Sequence, residues 1–152
     1  MINNTIVSEV DLAWLAGIVD GEGCLTIFRR TNKSSNGNRI VSPAASATIT
    51  NSNLSLMARC RDILDFLEVK YQYINPRNSN KRPLRRIQIK NHDSLRVFIR
   101  QLKPYLIAKM NQALMLEEFL AICRDKRQES VIRKSQLLCL IQAENQYGSL
   151  IL

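Results

Sequence analysis

Leu12-Ala13-Trp14-Leu15-Ala16-Gly17-Ile18-Val19-Asp20-Gly21-Glu22-Gly23 is the stretch that decides how this chain folds. It is apolar from Leu12 to Val19, so a helix here is hydrophobic on every side and must be buried on every side. Two carboxylates, Asp20 and Glu22, follow with glycines between and after them. A helix C-terminus carries partial negative charge and prefers cations, so two acids at that end call for something positive beside them. The start of the helix is well marked. Ser8 accepts from the early backbone N–H groups, Asp11 three residues on completes a capping box, and Val7 packs on Leu12 as a hydrophobic staple. The spacing predicts a helix from about Glu9 to Val19 or Asp20. Ala13, Ala16, Gly17 and Asp20 fall on one face of it, and Leu12, Leu15 and Val19 line another. Glycine inside a helix costs about 1 kcal/mol relative to alanine, so Gly17 points to a close approach by a second backbone. Packing alone is equally met by an ordinary core helix ending in a polar turn.

The rest of the chain sets the class. Its 152 residues, 45% of them hydrophobic, suit one domain over residues 1–152 with a sizeable core. There are 22 basic against 13 acidic residues, a net charge of +9, which favours a polyanionic partner because neutralised phosphates release condensed counterions. DNA, RNA and an anionic membrane surface all meet that description. No apolar run approaches the roughly 18 residues needed to cross a bilayer, and Met1 to Ser8 lacks the pattern of a signal peptide. A soluble, intracellular protein is expected. Cys24, Cys60, Cys123 and Cys139 are widely spaced, which indicates neither a zinc site nor a disulfide framework. All four read as small core residues in a reducing compartment. The single histidine, His92, precedes a helical pattern and reads as a surface or capping residue; one histidine counts against chemistry that needs a histidine pair or a histidine–cysteine cluster.

Beyond Gly23 the hydrophobic period changes. Cys24 to Arg30 is rich in strand formers, Thr31 to Asn38 is a polar loop, and strand character returns from Arg39 to Thr50. Asn51-Ser52-Asn53 stops this hairpin and offers a cap to a helix over about Leu54 to Glu68. A second hairpin, Tyr71 to Arg77 and Leu84 to Ile89, precedes helices over Asp93 to Leu102, Pro104 to about Arg124, and Glu129 to Gln146, so the part from about 125 to 152 is helical. Glu68-Val69-Lys70 has the E-x-K spacing of restriction-type nucleases, but Glu68 closes an apolar-faced helix and does not sit in a strand.

Leu15-Ala16-Gly17-Ile18-Val19-Asp20-Gly21-Glu22-Gly23 resembles, with conservative replacements, the nine-residue signature of the LAGLIDADG homing endonucleases. The order of elements resembles that family's α+β fold, α-β-β-α-β-β-α, with a four-stranded antiparallel saddle sheet packed on helices and a further C-terminal helix. In the family two signature helices pack side by side, and the last acid of each holds a divalent metal at the scissile phosphates. A second signature is absent, so the resemblance implies the single-motif type: a homodimer with Gly17 and Ala13 or Ala16 at the subunit contact and Asp20 in a structural role at the helix end.

The resemblance also implies a chemistry and a substrate. Glu22 is the expected metal ligand, completed by the backbone carbonyl near Gly21 and by DNA oxygens. Oxygen donors and an incomplete protein shell suit magnesium, with manganese as a substitute. Lys109 follows the Pro104-Tyr105-Leu106 opening that resembles the approach to the pocket lysine of single-motif members, where it stabilises charge on the phosphate. Asn51 or Ser52 stands where a water-positioning residue is expected. The pocket arginine of some members has no counterpart over Leu54 to Met57, and Arg59 and Arg61 are the nearest arginines. Glutamate stands in place of the commoner final aspartate and retains its charge.

A sheet with one face on helices leaves the other to solvent. That face is expected to carry Thr26, Phe28, Arg30 and Asn32, then Ser42, Ser46 and Thr48, then Tyr71, Tyr73, Asn75 and Arg77, then Arg86 and Gln88; Gln72 then points inward, which fits poorly. Such side chains suit base edges and phosphates in the major groove, with Lys33, Arg39, Lys81 and Arg82 reaching phosphates from loops. A strand of roughly 9 residues rises about 30 Å and spans roughly 9 base pairs, so two subunits cover about 20 base pairs of near-palindromic DNA. The alternatives are a maturase that binds its own intron RNA and a DNA-binding regulator of the same fold without cleavage. An organelle, chloroplast or mitochondrion, is the expected location, with a prokaryotic cytoplasm or a nucleus as alternatives.

Overall fold

The capping box forms as its sequence predicts. Asp11 N donates to Ser8 Oγ at 3.2 Å, and Asp11 Oδ2 accepts from Ser8 N at 3.2 Å. These bonds open helix α1, Glu9–Glu22. The protein is described here from a computed structural model covering residues 7–76 and 83–147; Arg77, Lys81 and Arg82 lie outside the described residues. The helix runs through both carboxylates and does not stop at Asp20. Gly23 ends it, donating its N–H to the Val19 carbonyl while its backbone swings to an extended conformation. A Cβ at Gly23 would stand 2.7 Å from the Val19 carbonyl oxygen, so this junction has room for glycine alone.

Strand follows helix with no loop between them. The elements after α1 are β1, Gly23–Lys33; β2, Arg39–Asn51; α2, Leu54–Phe66; β3, Gln72–Ile74; β4, Arg85–Ile89; α3, His92–Leu102; a 3₁₀ turn over Lys103–Tyr105; α4, Met110–Ile122; and α5, Gln128–Tyr147. The four strands are antiparallel in the order β1-β2-β4-β3. This is the α+β architecture the sequence predicts. Asn53 caps α2, its Oδ1 accepting from Leu56 N at 3.0 Å, and Asn91 caps α3 in the same way through Ser94 N.

Alternation along the strands sorts the two faces of the sheet. Leu25 and Ile27 of β1, Ala45, Ala47 and Ile49 of β2, and Ile87 and Ile89 of β4 are buried. They meet Leu15, Ala16 and Val19 of α1 and the apolar stripes of the other helices in one continuous core. Each fully buried Leu, Ile or Phe contributes roughly 1.5–3 kcal/mol against exposure. Arg59 ties α2 to the start of α1, bonding Asp11 at 2.9 Å and lying 4.9 Å above the Trp14 ring.

Several sequence expectations change. β1 extends to Lys33, which pairs with Arg39 across the strand ends, so these two residues belong to the ladder and the turn is confined to residues between them. β3 is only three residues long. α4 begins at Met110 and not at Pro104, because Pro104 lies within a 3₁₀ turn that is followed by an irregular segment up to Lys109. Of the cysteines only Cys60 is buried; Cys24 and Cys139 are exposed and Cys123 is half-buried. His92 is the first residue of α3, half-buried, with Cys123 Sγ 3.5 Å from its Nδ1 and Phe119 edge-on to its ring. Burial, and then the charges of Arg96, Arg30 and Arg124, hold its imidazole below the ordinary value.

Nor is α1 covered on every side. Val10 is 73% exposed, Ala13, Gly17 and Gly21 are exposed beside it, and a Cβ added at Gly17 or Gly21 meets nothing within 4 Å. Ala16, expected on this small-residue face as a subunit-contact candidate, is 0% exposed and sits in the core; the uncovered line runs Val10, Ala13, Gly17, Gly21 instead.

Gly23→Ala should destabilise the fold by about 1–3 kcal/mol, as overpacking does, because its methyl would press on backbone that has no freedom to retreat. Urea unfolding checks this, and an unchanged midpoint would mean that the junction is looser than its geometry.

Candidate functional site

Asp20 organises the acidic end of α1. Its carboxylate accepts from Ile107 N at 2.9 Å and from Lys109 N at 3.0 Å, and its backbone carbonyl accepts from Lys109 Nζ at 2.7 Å. The positive group demanded by a helix C-terminus is therefore the Lys109 ammonium, seated on one of the last carbonyls of α1. Lys109 is also the N-cap residue of α4. The turn between the 3₁₀ segment and α4 is thus folded onto Asp20, both of whose carboxylate oxygens are engaged within its own chain. Lys109 stands close enough to Cys24 to oppose the rise in the thiol pKa that partial burial causes.

Glu22 differs from Asp20. It is the last residue of α1, exposed, and its carboxylate makes no hydrogen bond or ion pair among the described residues. The C-terminal end of α1 therefore carries a committed acid and an uncommitted acid, with the Lys109 ammonium seated on it. Asn51 is the last residue of β2. Its Oδ1 accepts from Asn53 N at 2.7 Å, which fixes the carboxamide and leaves Nδ2 as its outward-bonding group. Ser52 follows, half-buried. The arginines of α2 are directed elsewhere: Arg59 serves Asp11 and Trp14, and Arg61 lies 4.2 Å over the Tyr73 ring.

The solvent face of the sheet begins beside this corner. Register places Cys24 against Thr48, Thr26 against Ser46, Phe28 against Ala44, Arg30 against Ser42 and Asn32 against Ile40. It continues across the sheet with Thr50 against Arg86 and Thr48 against Gln88. Thr26, Phe28, Arg30, Asn32, Ser42, Thr48, Arg86 and Gln88 accordingly share one face, as the alternation predicts. Ser46 shares it too but is 3% exposed, so it forms the floor beneath longer neighbours and offers no contact.

The last strand is turned over relative to expectation. Tyr73 pairs with Ile87, whose side chain is in the core, while Gln72 pairs with Gln88 and Ile74 with Arg86. Tyr73 therefore faces the helices, where Arg61 covers it. Tyr71 precedes the strand, and its hydroxyl donates to Asp65 of α2 at 2.7 Å. Asn75 lies beyond the end of β3 and is exposed. The residues of this region on the solvent face are Gln72 and Ile74. The signal that finds them is the poor fit of an inward Gln72: Ile87 and Ile89 demand an apolar partner inside, and Tyr73 supplies it.

No protein-family model matches the chain, and no curated protein matches its sequence. Solved structures match it in shape. The homing endonuclease I-CvuI, in complex with its target, superposes with a TM-score of 0.68 at 21% identity, over 88% of this chain and 80% of that one. The archaeal intron-encoded homing endonuclease I-Vdi141I complexed with DNA gives 0.72 at 16% identity, over 93% and 87%. The LAGLIDADG homing endonuclease I-SmaMI, bound to cleaved DNA, gives 0.62 at 18% identity, with 88% of this chain laid on 42% of it. At such identities the likeness is one of architecture: the chain has the LAGLIDADG fold.

Proposed function

We propose that this protein is one half of a homodimeric, metal-dependent DNA endonuclease of the homing type, encoded within an intron and cutting both strands of a near-palindromic site of about 20 base pairs. The observation that carries this is the uncommitted Glu22 carboxylate at the end of an uncovered line of small residues on α1. No group of three or more His, Cys, Asp or Glu residues suited to a metal occurs among the described residues. A second copy of Glu22 would add a carboxylate to a cation centre at this end of α1. A partner α1 laid on Ala13, Gly17 and Gly21 brings that copy in.

The donor set fits a hard cation. Glu22 carboxylates and the Gly21 carbonyl are oxygen donors, suited to magnesium or manganese with DNA oxygens filling the remaining positions. What a cation supplies there is stabilisation of charge on a phosphate oxygen and a more acidic water. The chain's own groups do the rest. Lys109, held against α1 by Asp20, presents a localised positive charge where the phosphate gains negative charge during hydrolysis. Asn51 and Ser52 orient the attacking water beside it. The solvent face of the sheet takes the major groove, with Thr26, Arg30, Asn32, Gln72 and Gln88 as donors and acceptors to base edges and phosphates. Lys33 and Arg39, at the far end of the β1–β2 ladder, add phosphate contacts that raise affinity and its salt dependence.

The decisive experiment is magnesium-dependent cleavage of a duplex carrying the joined flanks of the gene's insertion site. Wild type should cut both strands, and Glu22→Gln should bind the duplex without cutting. Cutting by Glu22→Gln would remove the acid from the chemistry, and tight binding of the surrounding intron RNA without any cutting would make the protein a maturase. Gly17→Leu should abolish dimerisation, read as a halved mass in sedimentation; an intact dimer would take this face of α1 out of the contact. Asp20→Asn turns an amide donor toward one of the two N–H groups it now holds, and a hydrogen bond to a charged group is worth about 1.5–3 kcal/mol. A loss of that order in chemical denaturation, with slower cutting as Lys109 loosens, is the expected result; unchanged stability would show that the clamp holds nothing.

A further inference from the structure

We propose that Arg86 is a second cation of the cleavage centre, held there by Thr50, and that its role is to stabilise charge on the phosphate at Glu22. It is thereby set apart from the residues that read sequence; the inference rests on the cleavage reading above. Arg86 belongs to β4, far in sequence from α1, but the ladders bring it close. Thr50 pairs with Arg86, and Gly23 pairs with Ile49. The β1–β2 ladder begins at Gly23, so Thr50 and Arg86 lie one row beyond it, at the end of the sheet where α1 delivers Glu22. That row reads Thr50, Arg86, Ile74, with neighbouring strands about 4.8 Å apart. Arg86 is on the solvent face at this end of the sheet.

Its side chain leans the right way. Arg86 Nε donates to Thr50 Oγ1 across a long 3.4 Å contact, so the guanidinium is directed from β4 over β2, toward the strand that leaves Glu22. Using Nε for this bond leaves both Nη groups, which hold no bond among the described residues, as a fork for two phosphate oxygens. The other arginines near this end are committed. Arg59 is bonded to Asp11, Arg61 lies over Tyr73, and Arg85 has the opposite parity and bonds the Leu84 carbonyl. The opening of α2, Leu54 to Met57, carries no cation. Lys109 approaches the acid from the α4 side and Arg86 from across the sheet, so a phosphate at Glu22 lies between a point charge and a planar fork.

The test separates binding from chemistry on the joined-flank duplex. Affinity is measured with calcium in place of magnesium, and single-turnover cutting is measured with magnesium at saturating enzyme. Arg86→Ala should slow cutting by about 100- to 1,000-fold, the loss seen when one donor to a developing oxyanion is removed, while affinity falls by no more than about tenfold. Thr50→Val should slow cutting by about tenfold through misplacement of Arg86, and Thr50→Ser should restore it, which a purely packing role for Thr50 would not produce. If Arg86→Ala cuts at the wild-type rate once saturated, Arg86 is a groove contact and the proposal fails while the endonuclease stands. Should Arg86→Ala not bind at all, the Thr50 pair decides: slow Thr50→Val with Thr50→Ser rescue supports the proposal, and an unchanged rate overturns it. A wild-type protein that does not cut removes the cleavage reading and this inference together.

Discussion

Three hydrogen bonds converge on Asp20, and the arrangement of the acidic corner depends on them. The carboxylate takes the N–H groups of Ile107 and Lys109, and the Asp20 carbonyl takes the Lys109 ammonium. Without that clamp α1 would present two like charges at a terminus already negative, and the segment before α4 would have two backbone donors to satisfy elsewhere. With it, one acid is consumed in holding a lysine and the other is left free. The two carboxylates of the signature, identical in charge and two residues apart, thus acquire different roles from their surroundings alone. Gly23 completes the arrangement by letting the chain leave the helix directly into β1, so that Glu22 sits at the edge of the sheet and not on a loop above it.

The sheet then transmits that position outward. Because side chains alternate, every residue of β1 with the parity of Cys24 lies on the solvent face, and the antiparallel registers extend this assignment through β2 and β4 to β3. A single buried set, Leu25, Ile27, Ala47, Ile49, Ile87 and Ile89, fixes the parity of three strands at once, since a slip by one residue would expose all of it. The polar face is therefore as strongly determined as the core. Its donors and acceptors stand in rows that start at the acidic corner and run to the exposed far end of the β1–β2 ladder.

Local signals carried most of this. The capping box, the apolar run and the paired acids of α1 lie within one short stretch, and the alternation in β1, β2 and β4 is long enough to set its phase. β3 is too short for that: over three residues alternation has no preferred phase, and Tyr73 was drawn inward by the core above Ile87 and by the Arg61 guanidinium. The difference between Ala16 and Gly17 also escaped a face drawn at spacings of three and four, because adjacent helical positions are about 100° apart and the tertiary fold decides which of them it covers. The start of α4 is hidden from the sequence for a related reason. Pro104 is a strong local signal for a helix start, but Asp20, 87 and 89 residues away in sequence from the groups it holds, keeps the intervening turn out of the helix. No periodicity reports a contact of that range.

What remains unbalanced in the single chain is the outer line of α1. Val10, Ala13, Gly17 and Gly21 follow one another at spacings of three, four and four, the repeat of a single helical stripe. Two of them are glycines that no neighbour in the chain requires, and each lowers helix stability relative to alanine. A monomer gains nothing from that composition; closely approaching backbones do. In the proposed dimer the twofold axis would pass through this stripe, and an isologous contact repeats every group near it. Gly21 is the last member of the stripe and Glu22 follows it, so the groups repeated closest to the axis include the free acids. Lys109 and Arg86 follow as flanking pairs. The same small residues that allow the helices to meet therefore determine how near the two acids come, and any side chain added at Gly17 or Gly21 would act on assembly and on the shared centre through one displacement.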